Sequence, residues 1–208
     1  MATEISTGLV ARICCTATLV LLAMTSAVLL HAESVAAKPY VVGIDEGPGL
    51  SKGTGLTRLG PMRVRYFSNR PVQSRRWTLA YAVRSFGTKR SQVGSPAECT
   101  VRWPRLGLKI SFRGHQANAE NGCRAPRNAY PSSAVITGNA AKGRFATRRG
   151  TRVGTPVGRL KRQYPDAKRS GQTWRLVSSN IWGLHLPSLV AVVRAGRVAE
   201  LRAFNHAD

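Results

Sequence analysis

Residues Ile13 to Leu30 form an unbroken uncharged run, ICCTATLVLLAMTSAVLL, and no other segment restricts the fate of this chain so strongly. Arg12 precedes the run, and the short polar stretch HAESVAAKP follows it. Val35 and Ala37 place small residues at positions −3 and −1 before Lys38, and Ser34 and Ala36 offer a second choice one residue earlier. A cation, an apolar stretch and a small-residue site in that order are the layout of a secretory signal peptide. We therefore expect residues 1–37 to be an export signal and the product to be secreted or held in the cell envelope. The competing reading is an uncleaved anchor, because the run is about long enough to cross a bilayer. In that case the membrane would be met only through this segment. Cys14 and Cys15 lie early in the run, away from the cleavage site, which disfavours a lipoprotein.

Cleavage before Lys38 removes Arg12, Glu4 and Glu33 and moves the net charge from +23 to +24. Cys99 and Cys123 then remain, and two cysteines in an exported chain read as one disulfide. The loop it closes, about 25 residues, is worth roughly 3 kcal/mol in the chain-entropy model. His115, His185 and His206 show no ligand spacing with these cysteines, so neither a metal site nor a cofactor is expected. With 43% apolar residues the chain can build a core, and the cationic excess suits an anionic partner. A genome-wide bias toward Arg produces the same excess with no partner at all.

Residues 38–60 are Gly-rich and read as an irregular lead-in; Lys52 follows Ser51, so no phosphate loop is formed. A first α+β unit is expected over 61–135. Met62 to Phe67 alternates as a strand, SNRPVQSRR is a polar loop, and WTLAYAVRSFG is a helix with Thr78 as cap and Gly87 as stop. CTVRWPRLGLKISFRG is a hairpin turning at Pro104 to Gly107, and 114–134 is a polar loop holding Cys123. A second α+β unit is expected over 142–208. GRFATRR is an extended lead-in, and RVGTPVGRLKRQYP is a helix capped by Thr155 with Val157, Leu160 and Tyr164 on one face. TWRLVSS, SLVAVVR and RVAELRAF are strands, the last two joined at Arg194-Ala195-Gly196-Arg197. Leu189, Ala191 and Val193 are expected to face inward, opposite Ala199, Leu201 and Ala203. The fold class is α+β: two tandem units, each a helix packed on an antiparallel sheet.

The blocks TRRGTRVGTPVGRLKRQYPDA, TWRLVSS, LPSLVAVVRAGRVAELRAF and CTVRWPRLGLKISF resemble a family of secreted, mostly uncharacterised actinobacterial proteins. The resemblance covers about residues 60–208. The tandem arrangement is also similar to β-lactamase inhibitory protein and to the outer-membrane lipoprotein fold called SmpA/OmlA. It implies a binding or scaffolding role through a sheet face or a loop. No inhibitory loop matches residue by residue, so the resemblance carries architecture alone.

The sequence holds no HExxH; Asp45 and Glu46, in the Gly-rich lead-in, are its one adjacent acidic pair, and nothing favours a glycosidase-like pairing of carboxylates. Pairing of Cys123 with His115 as a nucleophile competes poorly with the disulfide. We expect a noncatalytic binding protein, inhibitor-like in kind, and not an enzyme. The alternatives are an exported hydrolase of wall or polysaccharide and a nonspecific polyanion binder. Arg102, Lys109 and Arg113 alternate outward on one hairpin, and Arg175, Arg194 and Arg202 do so in the second unit. If the two sheets join edge to edge, these six form a single basic binding face for a protein or an anionic envelope polymer. Trp103 and Phe112 fall on the opposite side and read as core, so specific nucleic-acid recognition is not expected. Export and cleavage predict that N-terminal sequencing of the released product begins at Lys38, or at Ala37 for the second site.

Overall fold

A computed structural model describes residues 39–44, 55–63, 65–67, 70–72, 75–88, 91–114, 120–181 and 184–206. The expected signal peptide, the Asp45–Glu46 pair, Val64, part of SNRPVQSRR and His115 lie outside the described residues. Residues Lys38–Asp208 group as one compact unit.

Fourteen strands are assigned along the described chain: β1 (Tyr40–Ile44), β2 (Leu56–Leu59), β3 (Met62–Arg63), β4 (Arg65–Phe67), β5 (Arg70–Val72), β6 (Ser91–Gly94), β7 (Glu98–Trp103), β8 (Leu108–Gly114), β9 (Ala129–Thr137), β10 (Phe145–Thr147), β11 (Lys168–Ser170), β12 (Thr173–Ile181), β13 (Leu184–Arg194) and β14 (Arg197–Phe204). The helices are α1 (Leu79–Phe86), the single turn α2 (Gly138–Ala141) and α3 (Val157–Gln163). The mixed α+β class is as expected.

The strands of both expected units join in one eight-stranded sheet, in the order β11-β12-β13-β14-β9-β8-β7-β6. Every pairing in it is antiparallel. A smaller sheet of order β10-β1-β2-β3 and the pair β4-β5 complete the set. The lead-in is therefore more ordered than its glycines suggest. β1 pairs in parallel with β10, Tyr40 opposite Phe145, and antiparallel with β2. That partnership is remote in sequence, which is why local composition hides it. GRFATRR is extended as expected and forms β10, whereas SNRPVQSRR, expected as a loop, holds the short β5.

The hairpin CTVRWPRLGLKISFRG forms as expected. β7 and β8 pair from Glu98–Arg113 to Trp103–Leu108, around a 3-10 turn at Pro104–Leu106 closed by a left-handed Gly107. In contrast, 114–134 is not wholly loop, since β9 begins at Ala129 and runs between β8 and β14. Its period is broken by a register shift opposite Ser111 and Phe112, which leaves Ser132 as an extra residue. Ala129, Pro131, Ala134 and Ile136 turn inward around that break. Proline and two serines also lower the strand signal, and Pro131, lacking an N–H, sits beside the bulge where a ladder bond is already lost.

One face of the large sheet is the core. Val101, Trp103, Leu108, Ile110, Phe112, Ile136, Leu189, Ala191 and Leu201 are at most 2% exposed. α1 is built as its sequence dictates: Thr78 accepts from the Tyr81 N–H, Leu79 and Ala82 are buried, and Gly87 ends it. Trp103 Nε1 donates to the Gly87 carbonyl at 2.9 Å, pinning the helix end to the sheet. Tyr40, Phe86, Trp103 and Phe145 form a continuous ring cluster, with centroid spacings of 5.3 to 6.4 Å. Aromatic edges and faces attract one another at such separations, so β1, β10 and α1 are all seated on β7 through this cluster.

α3 buries Leu160 and is followed by buried Tyr164, with Val157 at the core margin. Its cap differs from expectation. Pro156 holds the N-cap position, while Thr155 Oγ1 accepts from the Arg152 N–H at 3.0 Å, closing the preceding turn instead. The final hairpin turns through Ala195 (φ 47) and Gly196 (φ 70), both left-handed as a two-residue turn of this hand requires. A register shift at Val192–Val193 places Val198, 1% exposed, opposite Val193, so Val198 takes the inward position expected for Ala199.

Cys99 and Cys123 are bonded, with Cα atoms 6.1 Å apart. The Cys123 N–H also donates to the Pro96 carbonyl at 2.7 Å. The bridge thus ties the polar loop before β9 to the start of β7. Replacing both cysteines by serine should lower unfolding free energy by about 3 kcal/mol, read from urea denaturation of the variant against the parent chain.

Candidate interaction surface

Strand alternation sends every second side chain of the large sheet away from the core. The register places one outward residue from each strand in a single transverse row: Lys168, Arg175, Val190, Arg202, Val135, Lys109, Arg102 and Ser91. Four of the six expected face residues, Arg102, Lys109, Arg175 and Arg202, stand in this one row, from β7, β8, β12 and β14. Arg113 lies four residues beyond Lys109 on β8, across from Glu98 and Tyr130. Arg194 lies four residues beyond Val190 at the end of β13, across from Arg197. Because β8 and β13 run in opposite directions, these two flank the row from opposite sides. All six sit on the same face.

Lys168 belongs to the row and was not anticipated. Its signal was present: Gly171 and Gln172 separate Ser170 from Thr173, a two-residue hairpin that carries β11 onto β12. Val190 and Val135 were missed for a different reason. Val190 is only 6% exposed although it faces away from the core. Its cross-strand neighbours are Arg175 and Arg202, whose aliphatic stems can cover it while their charged ends reach water. Val192, 5% exposed, continues this apolar floor, and half-buried Phe204 stands two residues beyond Arg202 on β14. Tyr130 packs against the core, and burial pushes its phenol above its ordinary pKa.

The electrostatics are one-sided. Lys168 faces Arg175 directly, and Lys109 faces Arg102. Like charges directly across a strand pair are destabilising. Arg202 Nε donates to Glu200 Oε1, an ion pair on the same strand. Among the described residues, Arg102, Lys109, Lys168 and Arg175 have no ion pair. A folded sheet that places two like-charge pairs in one row carries repulsion that a partner's anions would relieve.

Among the described residues the acids do not gather. Glu98 on β7 and Glu200 on β14 are three strand spacings apart, about 14 Å sideways, wider than the roughly 5–9.5 Å of a glycosidase pair. Glu120 and Asp166 are exposed in loops. Cys123 is held in the disulfide, which removes it as a nucleophile. Among the described residues, no group of three or more His, Cys, Asp and Glu side chains could hold a metal ion. His206 Nε2 lies 2.9 Å from the Pro187 carbonyl, and His185 is exposed. No helix among the described residues is long and apolar enough to cross a membrane.

No family model matches the chain, and no curated protein or solved structure resembles it significantly. The functional reading therefore rests on the surface itself. Changing Lys109→Glu converts one like-charge pair into an attractive pair with Arg102. It should raise unfolding free energy by about 0.2–1 kcal/mol, measured by urea denaturation at low salt.

Proposed function

We propose that the chain is an exported, noncatalytic binding protein whose outward sheet face docks an acidic protein surface. The observation that carries this reading is the transverse row, with five cations contributed by five strands and two valines between them. Eight strands at about 4.8 Å spacing span about 34 Å, and a strand of five or six residues adds roughly 17–20 Å. That area is on the order of the ~800 Å² each partner contributes to a standard protein interface.

The apolar floor favours a protein over a bare polyanion. A polymer held by charge alone has no use for Val190, Val192, Val135 and Phe204 beneath the cations, whereas a protein interface combines Arg and aromatic residues with an apolar centre. A rim of cations also speeds encounter with an acidic partner. The disulfide is consistent with an oxidising, extracytoplasmic setting.

The architecture supports the same reading. On each side of the β9–β14 seam a helix precedes four strands: α1 before β6 to β9, and α3 before β11 to β14. We take this as a tandem repeat of one helix-and-four-strand unit, similar in plan to β-lactamase inhibitory protein. In such a plan the helices cover one face of the joined sheet and leave the other for a partner.

The test compares the parent chain with the triple variant Arg102→Glu, Arg175→Glu, Arg202→Glu, each immobilised and exposed to the envelope fraction of the producing cell. A protein retained by the parent should be lost by the triple variant and kept by Arg124→Glu, Arg127→Glu, which reverses exposed charge in the loop before β9. Equal retention on all three would overturn the assignment. Loss of heparin binding alone, with protein retention unchanged, would move the function to a polyanion.

A further inference from the structure

The second half of the chain holds a pocket of about 370 Å³ away from the transverse row. Lys142, Arg152, Arg159 and Arg197 line it together with Gly154 and Thr155, and no acidic residue does. The four cations come from four places: the turn after α2, the turn before α3, α3 itself, and the start of β14. Sequence spacing does not predict their convergence.

The walls are fixed by backbone bonds. The Gly154 N–H donates to the Val198 carbonyl at 2.7 Å, the Val198 N–H to Thr155 at 2.8 Å, and the Val157 N–H to Gly196 at 2.9 Å. Pro156 bridges to Arg197. Thr155 closes its own turn twice, through its N–H to the Arg152 carbonyl and through Oγ1 from the Arg152 N–H, both at 3.0 Å. Arg197 Nη1 donates to the Gly154 carbonyl at 3.1 Å, which orients that guanidinium along the wall. Lys142 folds over Gly154, where an added Cβ would meet Lys142 Cε at 3.5 Å. The backbone of the concavity is thus stapled, Arg197 is held to it, and the exposed Lys142, Arg152 and Arg159 rise from the same walls.

We propose that this pocket binds a small molecule carrying a phosphomonoester. Four cations around one concavity repel one another until an anion enters. Guanidinium groups match the oxygens of a tetrahedral dianion in paired hydrogen bonds, and Lys142 adds a point charge. A single carboxylate would neutralise less of this charge. The volume suits a ligand of metabolite size, whereas the broad sheet face suits a protein. The assignment is independent of the one made for that face.

The test is titration of the purified chain with glycerol 3-phosphate at fixed ionic strength, followed by heteronuclear NMR shifts and by thermal unfolding, with glycerol and chloride as controls. Saturable shifts confined to residues 142–159 and 196–198 are expected, with stabilisation that neither control reproduces. The variant Arg152→Gln, Arg159→Gln keeps the Arg197 staple and should bind about tenfold more weakly or worse, since one lost charged hydrogen bond is worth about that factor. The sheet-face triple variant should bind as the parent does. Equal weakening by Arg124→Gln, Arg127→Gln, or shifts spread over the whole basic surface, would show diffuse charge and overturn the proposal. Binding to phosphatidate vesicles without binding to glycerol 3-phosphate would overturn it too, in favour of a lipid surface.

Discussion

The antiparallel ladder between β14 and β9, from Glu200 opposite Thr137 to Phe204 opposite Ser133, is the interaction on which the architecture depends. It joins the last strand of the chain to the last strand of the first half. Without it the chain would have two four-stranded sheets, each with an open edge inviting other chains. With it, eight strands share one core face, and the outward residues of both halves fall into common rows. The disulfide and the aromatic cluster then act on an assembled sheet. Cys99–Cys123 ties down the loop entering β9, and Tyr40, Phe86, Trp103 and Phe145 seat the helix and the small sheet on β7.

This seam also turns scattered cations into a surface. Arg102 and Lys109 come from one hairpin, Arg175 from β12 and Arg202 from the final strand. Register alone sets them in line. The cost is two like-charge cross-strand pairs, and it is offset by the core beneath: Trp103, Phe112 and Leu201 lie on the far side of the same strands, each at most 1% exposed. A sheet with so well buried an inner face tolerates charge repulsion on its outer one. The pocket beside α3 follows the same logic on a smaller scale, since its four cations are gathered by a turn and a hairpin stapled together through backbone bonds.

Much of this was legible beforehand. The α1 helix from Thr78 to Gly87, the hairpin from Cys99 to Arg113, the disulfide, the last two strands and the inward set Leu189, Ala191 and Leu201 all follow from period and turn chemistry. Three features did not. β9 was hidden because the bulge at Ser132 breaks the alternation that marks a strand. β1 was hidden because its partner β10 is remote in sequence. A hydroxyl before Pro156 suits a helix cap, but the preceding turn competes for the Thr155 oxygen and takes it.

Where the period is unbroken, as in α1, β7 and β8, local sequence settled which segments extend or coil and which side is apolar, because those depend on neighbours within a few residues. It also settled the cysteine pairing, since only Cys99 and Cys123 lie outside the apolar run Ile13 to Leu30. Tertiary structure alone decided that the two halves share one sheet, that Lys168 stands in line with Arg102, and that Lys142, Arg152, Arg159 and Arg197 surround one cavity. These depend on pairings between strands far apart in the chain, and strand register is fixed by the summed burial of a whole face rather than by any residue type.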